Sequence, residues 1–319
     1  MPAYERSREV RHAVGEHGDV SLRSVAGPIR VRGIDGAEAR VVLRYALRAP
    51  DDAAAARIEE EFIARLERGD GRLAATTADS RHAVIDVPGP LGALARAFGV
   101  AGDRSMELEA EVPHGAAVSV ETVSGDVVAE GLDGRQRYHT LSGAVTLGCS
   151  GELRVETTSG DTRVDAPAPT GLEWHSVSSR VRATAPVWTS VRLDTMSGDA
   201  WLAGRLAAGP DHQARSVSGD VRLAGAGGVL IETRSVSGTV RSEVEHRIEG
   251  RAGRNSVVVG DGSSRLSFES MSGDLLVLRP VDTAAPGDPF DQLAVLRALE
   301  RGEIDVDEAM RRMEGSGRA

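Results

Sequence analysis

The chain has 319 residues, of which 40% are apolar, only 3% are aromatic and 37 are glycine, a size that supports a core without disulfide or metal staples. A charged fraction of 27% and a mean hydropathy of -0.21 exclude wholesale disorder. The net charge of -10 excludes a generic binder of nucleic acid with a basic surface, and the single cysteine, Cys149, excludes internal disulfides and Cys-rich metal modules.

The opening MPAYERSREVRHAV lacks the apolar stretch of a secretory signal, and no run reaches the roughly 20 apolar residues of a membrane span. A cytoplasmic location is therefore expected, with surface association as a less direct option. All 38 basic residues are arginine, so every fixed cation is a planar, permanently charged fork.

Residues 9–47 predict four short strands, broken at Gly15–Gly18, Gly27–Pro28 and Asp35–Gly36. In ARIEEEFIARLERG, the spacing of Ile58, Phe62 and Leu66 predicts an amphipathic helix over about 51–69, with an acidic start and a stop at Gly69. Residues 81–88 and 105–113 read as strands, with PLGALARAFGV between them as a short apolar helix at about 90–99. Residues 1–113 thus form an N-terminal strand region with inserted helices.

A repeat array fills 114–280. Ser-Gly-Asp or a close variant recurs with its serine position at 124, 142, 159, 178, 197, 218, 237 and 272, giving spacings of 18, 17, 19, 19, 21, 19 and 35. The weaker SVAGPIRV lies at 24–31, and the 35-residue gap suggests a degenerate unit near Asn255–Val259. Period-two alternation on both sides of each tripeptide means two short strands joined by a turn. A period of 17–21 residues is too short for a propeller blade and fits one coil of a β-solenoid. Eight or nine coils at ~4.8 Å would make a rod roughly 40 Å long.

After the array, 281–288 reads as a linker and 289–319 as a helical hairpin. Leu293, Leu296 and Leu299 make one apolar face, Gly302 ends the first helix, and Asp305 caps a second carrying Ala309 and Met313. Such a face is too small to fold well alone, so residues 289–314 are expected to dock on the solenoid or to self-associate, the latter being favoured.

The aligned repeats form columns. Two positions before the turn serine stand Thr122, Thr140, Thr157, Ser176, Thr195, Ser216, Ser235 and Ser270, sharing parity with apolar Val120, Val155, Trp174, Leu193 and Phe268. They are expected to face inward and to hydrogen-bond one another up the stack. Asp126, Asp161, Asp199, Asp220 and Asp274 occupy the turns and are read as caps rather than a calcium ladder, because Ala144, Arg180 and Thr239 interrupt them. The outward Glu121, His139, Glu156, His175, Asp194, Arg215, Arg234 column could hold zinc but reads as a ladder that avoids stacking like charges. The turn glycines are expected at positive φ.

One outward column carries the candidate site. After each turn it reads Val128, Thr146, Arg163, Arg182, Trp201, Arg222, Arg241 and Leu276. Arg163, Arg182, Trp201, Arg222 and Arg241 would lie on five successive coils as a stripe about 20 Å long, suited to a phosphate- or carboxylate-bearing polymer. Local neutralisation by Asp161, Asp165, Asp199, Asp220 and Glu243 is the plainer reading of the same column.

The run MELEAEVPHGAAVSVETVSGDVVAEG at 106–131 resembles the bacterial DUF4097 domain, in which a strand ending in Val-Pro is followed by a strand and a Ser-Gly-Asp turn. GDVSLRSVAGPIRVRG and VVVGDGSSRLSFESMSGDL resemble its opening and closing units, so the likeness covers roughly residues 10–280. LRALERGEIDVDEAMRRM resembles a SHOCT-like helical hairpin. The resemblance implies a β-solenoid-type fold and a scaffold or envelope-stress role without known chemistry. The residues add no nucleophile elbow, P-loop or dinucleotide-binding glycine motif, and Cys149 has no evident base partner. The expectation is a non-enzymatic scaffold or interaction protein without cofactor. A binding module for an anionic polymer and a polysaccharide-acting β-helix enzyme are the alternatives.

Overall fold

The computed structural model describes residues 3–48, 51–53, 65–69, 71–76, 106–251 and 254–280. The chain divides into two compact units at Arg279/Pro280, and the described residues other than Pro280 belong to the first. They form 24 strands, with helical geometry only at residues 52–53. The strand expected at 81–88, the helix at about 90–99, the linker and the C-terminal hairpin lie outside the described residues.

Each repeat builds one coil by alternation. Ala117–Ser124 runs into the turn and Val127–Glu130 runs out of it, with every second side chain buried. The next coil lies parallel and in register, so Tyr138 sits beside Val120 and Val155, and Thr146 beside Val128 and Arg163. Equivalent residues therefore stack into columns along two parallel ladders, one of strands before the turns and one of strands after them. SVAGPIRV is a true coil, because Asp19–Ala26 and Ile29–Ile34 pair with the two strands of the Ser124 coil.

The four N-terminal strands are Ala3–Ala13, Asp19–Ala26, Ile29–Ile34 and Glu38–Arg48. The post-turn ladder continues through Met106–Pro113, Glu38–Arg48 and Ala3–Ala13. The pre-turn ladder continues through Arg72–Thr76 and Arg65–Gly69. Arg65–Gly69 is thus a strand where the end of a helix over 51–69 was expected, and residues 54–64 of that helix lie outside the described residues. It pairs antiparallel with Arg72–Thr76.

The coil order departs from the sequence order. Asp211–Ser216 pairs with Ser264–Ser270, which in turn pairs with Val229–Ser235. Likewise Val221–Ala224, Leu275–Leu278 and Val240–Ser242 are successive neighbours. The last repeat is therefore inserted between the two before it. No degenerate coil fills the 35-residue gap: Arg254–Val259 runs antiparallel between Val229–Ser235 and His246–Arg251. This hairpin covers a strand edge that would otherwise present unpaired N–H and C=O groups.

The interior is mostly Val, Leu and Ala, with Trp174, Trp188, Tyr138 and Phe268 its largest fully buried side chains. Val120, Val155, Trp174, Leu193 and Phe268 are buried. Trp174 donates its indole N–H to Thr162 Oγ1 (3.3 Å) and Trp188 to the Ala203 carbonyl (3.0 Å), so the buried indoles keep a polar partner.

The hydroxyl column faces inward through most of the stack, but its bonds are local rather than coil to coil. Thr122 and Thr195 Oγ1 and Ser216 and Ser270 Oγ accept the N–H of the turn glycine three residues on, at 2.6–3.1 Å. Ser24 and Thr140 instead donate to the carbonyl two residues on, at 3.0 and 3.1 Å. In those coils the glycine has positive φ, 92° at Gly27 and 134° at Gly143. The carbonyl and the glycine N–H belong to one peptide unit, so the two patterns are the two faces of a flipped turn peptide. A hydroxyl is both donor and acceptor and serves either.

Positive φ is accordingly not the general reason for the glycines. Of the seven Ser-Gly turn glycines expected there, only Gly143 and Gly160 have it. At Gly125, Gly198, Gly219, Gly238 and Gly273, a Cβ would land on a backbone carbonyl oxygen of the adjoining coil. Close approach of stacked backbones, not turn conformation, excludes a side chain at these five positions, whereas Ser179 fills the equivalent position of its own coil.

Candidate functional site

The turns tie neighbouring coils together on their outer side. Asp126 Oδ1 accepts the N–H of Ala144 (2.8 Å), Asp199 that of Asp220 (2.9 Å), Asp220 that of Asp274 (2.9 Å) and Asp274 that of Thr239 (2.7 Å). The aspartates cap the next coil's backbone rather than their own turn. The N–H of Thr239, followed by its hydroxyl, holds the Asp274 carboxyl below its usual range. The inserted last repeat makes Asp199, Asp220 and Asp274 consecutive, and among the described residues no group of three His, Cys, Asp or Glu could hold a metal ion.

The predicted arginine column is brought together in part. Arg163, Arg182, Trp201 and Arg222 stand side by side on four successive coils. Leu276 then separates Arg222 from Arg241, so the run of five is interrupted. The Arg182 guanidinium lies over the Trp201 ring at 4.2 Å. Arg163 pairs with Asp165 (2.7 Å), Arg222 with Asp220 (3.5 Å) and Asp199 (4.0 Å), and Arg241 with Asp274 (3.8 Å). Asp161 is engaged by Arg180 at 2.8 Å. Much of the stripe's charge is met locally.

The charged column before the turns reads, in spatial order, Arg23, Glu121, His139, Glu156, His175, Asp194, Arg215, Glu269, Arg234. Insertion of Glu269 between Arg215 and Arg234 removes the one like-charge step that the sequence order contained, and Glu269 pairs with both at 3.1 and 3.4 Å. Burial pushes the Glu156 carboxyl up, but the hydrogen bond and charge of Arg154, with His139 beyond, outweigh it and hold the group below its usual range.

Between this column and the turn serines runs a feature that the sequence reading did not single out. The residue just before each turn serine shares the outward parity of the charges, yet it is Val177, Met196, Val217, Met271 and Val236 on five successive coils. These are 42–83% exposed, and they are five of the six large apolar residues exposed among the described residues. At ~4.8 Å per coil the stripe is roughly 19 Å long. It borders a groove of about 840 Å³ rimmed by His175, Asp194, Arg215, Arg234 and Glu269. The signal was present as an apolar residue at an outward position, repeated in phase with the turns.

Cys149 offers no nucleophile at neutral pH. Burial pushes its thiol up to about 11, against the opposing hydrogen bonds of the Leu132 backbone and the Tyr138 hydroxyl.

Residues 96–277 match the family model described as Toastrack DUF4097. No curated protein matches the chain. Among solved structures, a cell-adhesion candidate from Clostridium sporogenes is 8% identical, covering 87% of this chain and 100% of its own, with a TM-score of 0.27. An adhesin candidate from Bacteroides fragilis is 13% identical over 86% of this chain and 97% of its own, with a TM-score of 0.32. A lipid-binding candidate from Parabacteroides distasonis is 8% identical over 87% and 97%, with a TM-score of 0.34. Likenesses this slight carry no inference.

Proposed function

The chain belongs to the DUF4097 family, and from that premise we propose that it is a non-enzymatic scaffold or interaction protein whose partner-facing surface is the stripe Val177–Met196–Val217–Met271–Val236. The observation that carries this reading is the contiguity of five exposed apolar side chains, where among the described residues only one other large apolar residue, Ile248, is exposed. Scattered exposed aliphatics need no explanation, but an ordered row of them beside a charged rim marks an interaction surface. The test compares proteins retained from host extract by the wild-type chain and by Met196→Glu/Val217→Glu. The expected outcome is a defined partner lost from the variant at an unchanged melting temperature. Identical retention by both would overturn the assignment.

A second reading uses the other side of the turns. Arg163, Arg182, Trp201 and Arg222 form an unbroken row over four coils, which supports an anionic polymer as ligand. Binding of polyphosphate or single-stranded nucleic acid should then weaken with salt. Arg182→Ala with Arg222→Ala should flatten the slope of log K against log[salt] by about one to two units. Residues 289–314 are proposed to provide self-association.

A further inference from the structure

We propose that the outer face of the pre-turn ladder, near its N-terminal end, is a binding site for a phosphorylated polyol. The proposal is independent of the apolar stripe and of the Arg–Trp row, and uses none of their residues.

The strands set out the site in rows. Across one row, Ser21 neighbours Ser119, Ser119 neighbours Arg137, and Arg137 neighbours Arg154. Across the row two residues earlier, Arg72 neighbours Asp19 and Arg135 neighbours Glu152. Small side chains on two adjacent coils, Ser21 and Ser119, thus form a floor between Arg72 on one side and Arg135 and Arg137 on the other. The result is a trough of about 870 Å³.

The charges in this trough are unevenly served. Arg154 is held by Glu156 (2.6 Å) and Glu173 (3.2 Å), and Arg23 by Glu121 (3.1 Å). Among the described residues, no carboxylate is within ion-pair distance of Arg72, Arg135 or Arg137: Asp19 and Glu152 line the same trough, and Glu156 feels the charge of Arg137 without pairing with it. Arg137 also stands directly beside Arg154, and like charges in register on adjacent strands repel. An oxyanion on the Ser21–Ser119 floor would relieve that repulsion. It would accept forked N–H bonds from Arg137 and Arg135 and O–H bonds from the two serines.

Asp19 and Glu152 define the rest of the ligand. A second anionic group would meet their repulsion, whereas alcohol hydroxyls on the carbon chain esterified to the phosphate would donate to them. The chemistry is therefore one phosphate on a polyol, whether free in solution or at the head of a lipid.

Titration calorimetry at about 50 mM salt, where phosphate contacts are least screened, tests this with glycerol 3-phosphate and inorganic phosphate. Vesicles of phosphatidylcholine with and without phosphatidylglycerol form a second arm. Glycerol 3-phosphate should bind more tightly than inorganic phosphate. Arg135→Gln with Arg137→Gln should weaken it at least about tenfold, while Arg192→Gln, exposed on the same face, should leave it unchanged. Binding to phosphatidylglycerol vesicles alone, lost in the double variant, would assign the same site to a lipid headgroup. Absence of binding in both arms, or binding indifferent to the double variant, would overturn the proposal.

Discussion

Gly219→Ala separates close approach from backbone conformation as the reason for the glycine column. Gly219 has an ordinary φ, but its Cβ would land on the carbonyl oxygen of Gly198 in the adjoining coil, with further Gly198 backbone atoms behind it. No flexible side chain can yield, so the two coils must part at the turn. The two residues flanking Gly219 make three backbone N–H hydrogen bonds across that gap: Ser218 N–H to Met196 O (2.9 Å), Ala200 N–H to Asp220 O (2.8 Å) and Asp220 N–H to Asp199 Oδ1 (2.9 Å). At about 1 kcal/mol net for each, their loss costs about 3 kcal/mol. Gly209→Ala is the reference: Gly209 has a φ of 107° and no atom near its Cβ direction, so only the left-handed penalty of roughly 1–2 kcal/mol applies. Urea unfolding followed by circular dichroism gives both values. A smaller loss at Gly219 than at Gly209 would refute the close-approach argument.

Thr195→Val should cost roughly 1–3 kcal/mol in the same assay, because it strands the buried Gly198 N–H now held at 2.9 Å. Thr157→Val should be near neutral, since the buried Thr157 Oγ1 has no hydrogen-bond partner. Asp274 has a depressed carboxyl, so its stabilisation is present above the unfolded value of about 3.9 and is lost as pH falls through the lower folded value. The melting-temperature gap between wild type and Asp274→Asn should therefore be full at neutral pH and shrink below about pH 4. Truncation after Arg279, where the compact units divide, should lower the number of chains per particle found by light scattering; an unchanged number of chains would remove the self-association role from residues 289–314.

Much of the stack was legible because period-two alternation and an in-phase turn mark each coil independently of its neighbours. Burial of Trp174, Leu193 and Phe268 follows from parity alone. The two forms of the turn were not legible, because Thr122-Val-Ser-Gly and Thr140-Leu-Ser-Gly carry the same pattern, yet their hydroxyls bond opposite ends of the turn peptide. Nor was the strand at Arg65–Gly69, where the helical spacing of Ile58, Phe62 and Leu66 competes with the pull of a sheet edge on the adjoining Arg72–Thr76. The apolar stripe was visible in outline, but a residue beside a turn serine is easily assigned to the turn rather than to an exposed face.

Coil order is the deeper limit, and it also shapes the surface. The coils at Ser218, Ser237 and Ser272 offer nearly the same backbone edge, hydroxyl and glycine, so a local pattern cannot say which pair should touch. The columns can. In sequence order Arg215 would stack on Arg234, and Asp220 would face Thr239 with Asp274 beyond it. In the observed order Glu269 separates the two arginines and pairs with both, while Asp220 caps Asp274 and Asp274 caps Thr239. The insertion turns a like-charge contact into two ion pairs and completes a run of aspartate caps over three consecutive coil junctions. The same move places Met271 between Val217 and Val236, so the exposed apolar row is continuous without an added residue. It also leaves the terminal strand Val229–Ser235 to be covered by an antiparallel hairpin, which ends parallel stacking on that ladder. Electrostatic alternation, capping and edge protection thus select one order, and the continuous apolar face follows from it.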